Sequence, residues 1–509
     1  MTHHIYSGPR KVALEEVAHN GARVAAGLKD LGVGDGDAFA TFMRNDIAML
    51  ETKVAGNQLG AYSVPVNWHA TAEEAGYMFN DSGAKVIIIH TDLLPGVASH
   101  LPPGIPVIVC ATPPEIGRAY GVPPEQCDVP DGMMDYEAWQ DGFAPLTGEP
   151  PLQRGSMIYT SGTTGNPKGV RREPTTAERQ ARLAEMALRS FGIRPGGVVA
   201  MTGPMYHSAP GAYASIAFTL GNDIHLLPRF DPEDLLRAID EYKITHMHVV
   251  PTMFMRMLRL PDAVKAKYDL SSLVHVIHGA APCPPEAKRR MIEWWGDVIF
   301  EYYGSTEAGI VTVVNSADWL AKPGTVGQPL DGTTVRVYDD DGKVLPVGES
   351  GEIYMNLNDL SNFTYHNKDD KRAEIERDGM VTNGDVGYID EDGYVYLNDR
   401  KRDMIISGGV NIYPAEIEAA LQDMPGVQDC AVFGIPHEDF GESIAAAIEP
   451  LPGASLTPEA VREYLKAHIS SYKVPREVTF HDAMPREDTG KIFKRKLRQP
   501  YWDAAGRQI

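Results

Sequence analysis

Tyr159-Thr160-Ser161-Gly162-Thr163-Thr164-Gly165-Asn166-Pro167-Lys168-Gly169 is the stretch on which the reading of this chain turns. Met157-Ile158-Tyr159, at its start, reads as a short buried strand that delivers the chain into a loop of hydroxyls, glycines and one lysine. Glycine lets the backbone approach an anion closely and turn its N–H groups inward. The Ser and Thr hydroxyls add donors, and Lys168 adds positive charge, so the loop suits phosphate. The Walker A pattern G-x-x-x-x-G-K-[ST] does not fit: Pro167 stands where the second glycine belongs, and Gly169 follows Lys168. Taken alone, such a loop is equally a flexible surface connection.

The chain has 509 residues, more than one ordinary core accommodates, so two or more structural units are expected. Apolar content of 43% and charged content of 23% describe a globular protein. A formal charge of −22 argues against electrostatic binding of nucleic acid or an anionic membrane face. Cys110, Cys127, Cys283 and Cys430 are scattered without a C-x-x-C pair, which points to neither a disulfide framework nor a zinc site. No run approaches the roughly 20 apolar residues of a membrane span. Met1-Thr2-His3-His4-Ile5-Tyr6 does not resemble a secretion signal. A cytoplasmic protein is expected; a homodimer is left open.

Residues 1–400 read as apolar strands alternating with amphipathic helices, beginning with a helix over Val12–Leu31. Val86–Ile89, Pro106–Val109, His246–Val250 and Val274–Ile277 are strand candidates. A helix opens with Asp231 as N-cap and Pro232 at its first position, with Leu235, Leu236, Ile239 and Tyr242 on one face. The alternation predicts an α/β domain with layered, largely parallel sheets. At Asp399-Arg400-Lys401-Arg402-Asp403 the texture changes to a dense charge run. Beyond it a separate α+β pattern is expected: helices from Pro414 and over Pro458–Ile469, and strands near Val427–Phe433, Ile444–Ile448 and Val478–His481.

Further stretches carry chemistry. Tyr302-Tyr303-Gly304-Ser305-Thr306-Glu307 follows a strand (Val298–Tyr302) and sets a hydroxyl beside a carboxylate. Magnesium takes a carboxylate together with substrate phosphates, so Glu307 is a candidate metal ligand; an exposed strand-end turn is the alternative. Gly279-Ala280-Ala281-Pro282 is small enough for a flat ring to lie on backbone, or is simply a strand-to-helix turn. Asn383-Gly384-Asp385 alone is a common turn. Pro485-Arg486-Glu487-Asp488-Thr489-Gly490-Lys491 precedes a basic tail. His246 and His248 share a strand face without a third ligand nearby, and read as core histidines. Met253, Met255 and Met257 read as helix core or pocket lining.

Together and in this order, these motifs resemble the adenylate-forming superfamily of acyl-CoA synthetases, luciferases and peptide-synthetase adenylation domains. The resemblance covers residues 159–495 and implies a large N-terminal adenylation domain (1–401) with a small mobile C-terminal lid (402–509). It implies that Thr160, Ser161, Gly162, Thr163, Thr164 and Lys168 hold the β- and γ-phosphates of ATP. Gly279, Ala280 and Ala281 would form the adenine slot, with Tyr303 stacked on the ring beside Gly304. Thr306 would bind the α-phosphate, Asp385 the ribose with help from Arg400, and Glu307 and Thr160 a Mg2+ ion. Lys491 would be the catalytic lysine that bridges carboxylate and α-phosphate, and His207 the residue closing over the carboxylate. Ser407, Gly408 and Gly409 would line the coenzyme A channel, with the hinge near Arg402. The first helix lies almost at the N-terminus, without the leader that many family members carry.

The acid pocket would be lined by Pro204-Met205-Tyr206-His207-Ser208-Ala209-Pro210-Gly211-Ala212-Tyr213. Between Met201 and Gly221 there is no Asp or Glu, so the ammonium of an amino acid would be desolvated unpaired. A fatty, aryl or other bulky apolar acid is expected, with coenzyme A as acceptor. An acyl-AMP ligase loading a carrier protein is the runner-up, although no extra segment appears between Gly309 and Asn383. A catalytically silent binding protein conflicts with the joint presence of Lys168, Glu307, Asp385, Arg400 and Lys491.

Overall fold

Val86-Ile87-Ile88-Ile89 has no polar face, and such a strand needs cover on both sides. In the computed structural model, which describes residues 2–160, 167–401, 403–407, 410–486 and 492–505 (backbone alone at Asn411), all four side chains are fully buried. Their strand, Ala84–His90, lies in a parallel sheet ordered Tyr62–Pro65, Ala38–Phe42, Ala84–His90, Val107–Cys110, Met134–Asp135.

A second, larger sheet begins in the same style. His4–Ser7, Asp223–Leu226, Val198–Met201, His246–Val249, His275–His278 and Ile299–Ser305 run parallel in that order. Past Ser305 the sheet turns antiparallel, through Gly309–Val314, Thr325–Pro329, Val395–Arg400, Met380–Ile389, Gly351–Leu357 and Thr333–Tyr338. The expectation of largely parallel sheets up to residue 400 therefore fails beyond 305. A parallel crossover needs a dozen or more residues, usually a helix. The helices here, Ser316–Ala321 and Asp369–Glu374, have six residues each.

The helix at Pro232–Tyr242 forms as predicted, with the Asp231 carboxylate accepting from the backbone N–H groups of Glu233 and Asp234. Leu235, Leu236 and Ile239 are buried, but Tyr242 is exposed and stacks on His225. The first helix spans Leu14–Asp30, not Val12–Leu31, because Arg10–Ala13 pairs as a strand with His4–Ser7.

The smaller domain is α+β. Its sheet runs Val410–Ile412, Ile405–Ser407, Gly441–Pro450, Val427–His437, with Glu477–Phe480 parallel to Gly441–Pro450. Helices Pro414–Gln422 and Pro458–His468 bury Ile417, Leu421, Val461 and Leu465 against one face. Lys494–Ala504 covers the other through Leu497. The four cysteines are free, and among the described residues no helix is long and apolar enough to cross a membrane.

Successive side chains of Ile299–Ser305 point to opposite faces of the large sheet. Ile299 and Glu301 face the helix Pro285–Trp295, whereas Phe300 and Tyr302 face the helices Ala177–Phe191 and Ser208–Thr219. The first face buries an ion pair: Lys288 is fully buried, its Nζ 2.5 Å from Glu301 Oε2 and 4.8 Å from the centre of the Trp319 ring. Removing one partner of a buried pair leaves an uncompensated charge. Lys288→Met should therefore lower stability by about 3–5 kcal/mol, and Lys288→Met with Glu301→Leu should recover most of it. Denaturant midpoints of the three proteins decide this; a single variant as stable as the wild type would show that Glu301 tolerates the loss of its cation.

Candidate active site

The strand at the start of the phosphate-type loop is shifted by one residue and less buried than predicted. Met157 is buried, but Ile158–Thr160 is half-buried and pairs antiparallel with Lys168–Arg172, with Thr160 opposite Lys168. Phe363–Tyr365 completes this small sheet on the other side of Lys168–Arg172. A hairpin thus holds the two ends of the loop together. Ser161, Gly162, Thr163 and Thr164 lie outside the described residues, as do Arg402, Gly408, Gly409 and Lys491.

The hairpin reaches the second motif directly. Thr160 Oγ1 stands 3.5 Å from Glu307 Oε1, and the Tyr365 hydroxyl donates to the same oxygen at 2.9 Å. The Arg172 guanidinium lies beneath, donating to the carbonyls of Thr306 (2.5 Å), Glu307 (2.8 Å) and Ser361 (2.8 Å). Burial lowers Arg172 to about 10, with Glu307 opposing. Lys168 Nζ sits 5.0 Å from the centre of the Tyr365 ring; burial and then Lys371 lower its pKa. Sequence reasoning missed both Arg172 and Tyr365. The alternation from Lys168 could have indicated Arg172, but nothing local marks Tyr365, which arrives from 193 residues further along the chain than Arg172 (365 − 172).

Tyr303-Gly304-Ser305 is strand rather than turn, since Ile299–Ser305 continues through it. A Cβ on Gly304 would lie 2.0 Å from the Gly309 carbonyl oxygen, so the neighbouring strand admits no side chain there. The Ser305 hydroxyl accepts from Ala308 N–H and closes the turn that displays Thr306 and Glu307. Asn383-Gly384-Asp385, a turn by its composition, also lies within a strand, Met380–Ile389, where Gly384 takes φ +76°. Asp385 pairs in register with Arg400. Its carboxylate accepts from the Tyr303 hydroxyl (2.8 Å) and Arg400 Nε (3.2 Å). A carboxylate offers about four lone-pair sites, so two remain for further donors.

Gly279-Ala280-Ala281 follows the strand His275–His278, with Ala280 in the left-handed region at φ +68° and Gly279 against the Tyr302 ring. His207 is the N-cap residue of Ser208–Thr219 and packs on Tyr206. The next residue, Ser208, is 3.1 Å from Thr306 across the two hydroxyls. Asn45 pins the preceding loop, donating to the Gly203 carbonyl and accepting from Met205 N–H; sequence reasoning missed it. Ser407 lies in the small domain's sheet, paired with Val410 and Gly441.

Thr160, Lys168, Tyr303, Thr306, Glu307, Asp385 and Arg400 are thus linked by hydrogen bonds, ring contacts and strand pairing at one end of the large sheet. Glu307 with the Thr160 hydroxyl gives an all-oxygen donor set, which fits a hard cation such as Mg2+. Met253 and Met257 are core on the opposite face of the sheet. His246 and His248 are buried as predicted, on the face that carries Tyr302, His246 stacked on His275 and His248 beside Tyr213 and Tyr302.

The arrangement gathers hydroxyls, carboxylates and an arginine at one end of the large sheet. The chain belongs to the AMP-binding enzyme family, whose model matches residues 2–360, followed by the AMP-binding enzyme C-terminal domain over residues 416–491. It is therefore an ATP-dependent, AMP-forming acid–thiol ligase by class. It is similar to feruloyl-CoA synthase from Amycolatopsis sp (34% identical over 496 residues, 97% of this chain and 95% of that one). It is also similar to fatty acid–[acyl-carrier-protein] ligase ScoC of Streptomyces coeruleorubidus (30% identical, 98% and 93%). Among solved structures, ATP-bound MatB from Rhodopseudomonas palustris superposes with TM-score 0.83 at 27% identity, over 99% of this chain and 96% of that one.

Buried histidines give the domain a pH dependence of defined sign. Burial lowers His225, His246 and His248 to about 4 and His275 to about 3, from 6.5. The unfolded chain takes up these protons below about 6.5, and the folded chain does not. Their contribution is complete above pH 6.5 and is lost as the pH falls toward 4. Urea midpoints should fall between pH 7 and pH 5; equal midpoints would mean that the folded protein protonates these rings without cost.

Proposed function

We propose that the chain activates a hydrophobic carboxylic acid with ATP and passes the acyl group to coenzyme A. In the first half-reaction a carboxylate oxygen attacks the α-phosphorus, the bond to the α–β bridging oxygen breaks, and pyrophosphate leaves acyl-AMP behind. In the second, the coenzyme A thiolate attacks the acyl carbon and AMP departs. Catalysis of both is chiefly positioning and charge stabilisation.

The observation that carries this reading is the convergence of Thr160, Glu307, Thr306, Tyr303, Asp385 and Arg400 from distant parts of the chain. In it Thr160, Lys168 and the loop between them hold the terminal phosphates, Thr306 the α-phosphate, Tyr303 and Gly279–Ala281 the adenine, and Asp385 with Arg400 the ribose. Glu307 and Thr160 hold Mg2+, which when bound supplies positive charge against the phosphate oxygens. His207 closes over the acid, and Lys491 draws carboxylate and phosphate together. The adenylation domain ends at 401, and the lid of 402–509 turns about Arg402 to bring Ser407, Gly408 and Gly409 to the thiol channel.

Similarity to a feruloyl-CoA synthase and to a fatty acid ligase supports an aryl or fatty acid. Because the second of these loads a carrier protein, a carrier is the second reading of the acceptor. Coenzyme A-dependent AMP release over a panel of acids decides between them, and free amino acids should give none.

Lys491→Ala should lose acid-dependent pyrophosphate release by about a hundredfold or more, as expected for one key electrostatic group. Thioester formation from supplied acyl-AMP should largely survive. Equal loss in both half-reactions would contradict the role given to Lys491.

A further inference from the structure

The segment that ends in Lys491 is framed by described residues on both sides. Arg486 and Ile492 pair antiparallel across its base, and the Phe493 N–H donates to the Pro485 carbonyl at 2.7 Å. Two carboxylates hold the Arg486 guanidinium, Asp429 at 2.7 Å and Glu449 at 2.8 Å. Glu449 is buried, and the oxygen that takes Arg486 also accepts from the Met484 N–H at 3.0 Å. Its other oxygen accepts from the Gln428 side-chain amide.

Gln428 also reaches out of the small domain. The register of Val427–His437 against Gly441–Pro450 shifts between Val427 and Asp429, which leaves Gln428 without a partner residue in the ladder. A residue bulged from a ladder keeps its backbone groups available for other contacts. The Gln428 carbonyl accepts from the guanidinium of Arg259, which belongs to the large domain.

Arg259 caps the helix Pro251–Leu258, and Met253, Phe254 and Met257 bury that helix in the core, so the donor stands on a fixed element. The helix leaves the carboxyl end of the strand His246–Val249, the same end of the parallel strands at which Thr306 and Glu307 stand. The lid thus meets the large domain on the side of the proposed site. At the hinge the Asp399 carboxylate accepts from the Ala415 N–H at 2.9 Å. A lid turning about Arg402 carries Gln428 away from Arg259, so the bond between these two exists in one arrangement of the domains.

We propose that Arg259 is a positioning residue for the first half-reaction: by holding Gln428 it seats the lid, with its Arg486-anchored base, where Lys491 reaches the reacting carboxylate and phosphate. This rests on the ligase reading above and adds a residue outside the cluster around Glu307 and Asp385. A contact made in one of two arrangements shifts their balance by its own free energy. For a hydrogen bond with one charged partner that shift is about tenfold. The second half-reaction needs the lid released, so it does not draw on this bond.

Arg259→Ala and Arg259→Lys are compared with the wild type in acid-dependent pyrophosphate release, in thioester formation from supplied acyl-AMP and coenzyme A, and in melting temperature. Arg259→Ala should lose about tenfold in kcat for pyrophosphate release, with KM for ATP and for the acid nearly unchanged. Its thioester formation should be unchanged or faster, and its melting temperature that of the wild type. Arg259→Lys keeps a donor and a charge and should recover most of the loss. Equal loss in both half-reactions, a loss accompanied by a lower melting temperature, or no loss at all would overturn the assignment and leave the ligase reading standing. A wild type that releases no pyrophosphate with any acid of the panel would overturn both.

Discussion

A fully buried lysine is tolerated only with its charge matched, and the match between Lys288 and Glu301 constrains everything built on the strand Ile299–Ser305. With Glu301 held down against the helix Pro285–Trp295, strand alternation leaves no freedom to its neighbours. Tyr302 must point to the opposite face, against Phe191 and His248. Tyr303 must return and reach Asp385. A slip of one residue would put a carboxylate among aromatic rings and tyrosines against a lysine, so the register is strongly specified.

The same strand is where the sheet changes from parallel to antiparallel, and this change makes the site. Parallel strands end in crossovers that leave their carboxyl ends open, as at Gly279–Ala281. An antiparallel neighbour folds straight back, as Gly309–Val314 does past Gly304. The turn between Ser305 and Gly309 displays Thr306 and Glu307 beside the open ends. Arg172 fixes it from below by occupying the Thr306 and Glu307 carbonyls. The phosphate-type loop hangs from the same arginine's strand, so one side chain ties the two motifs together.

Motif and periodicity show in the sequence; pairing partners do not. The buried strand Val86–Ile89, the capped helix at Asp231 and the α+β character after residue 400 follow from local composition. The antiparallel half after residue 305 was hidden because its strands carry turn-like residues: Gly304, Gly384 and Gly387 stand inside strands where a neighbouring backbone passes or the chain bulges. Asp385 is the clearest case, since Asn-Gly-Asp has turn composition, yet its register with Arg400 is a property of the sheet. Tyr365 and Asn45 act through contacts between distant segments, and nothing in their own surroundings in the sequence marks them.

The two faces of the large sheet accommodate buried polar groups in different ways. Below, charge is neutralised within the protein by Lys288 and Glu301, with His278 Nε2 3.7 Å from the same carboxylate and an apolar cluster around them. Above, His246, His248 and His275 stay neutral because burial opposes their protonation. A neutral imidazole in a dry wall is a hydrogen-bonding group without a fixed charge. Such a wall does not attract a carboxylate or an ammonium. Charge at the strand ends, in Arg172, Glu307, Asp385 and Arg400, therefore stands apart from the neutral histidine-bearing face in the middle of the sheet.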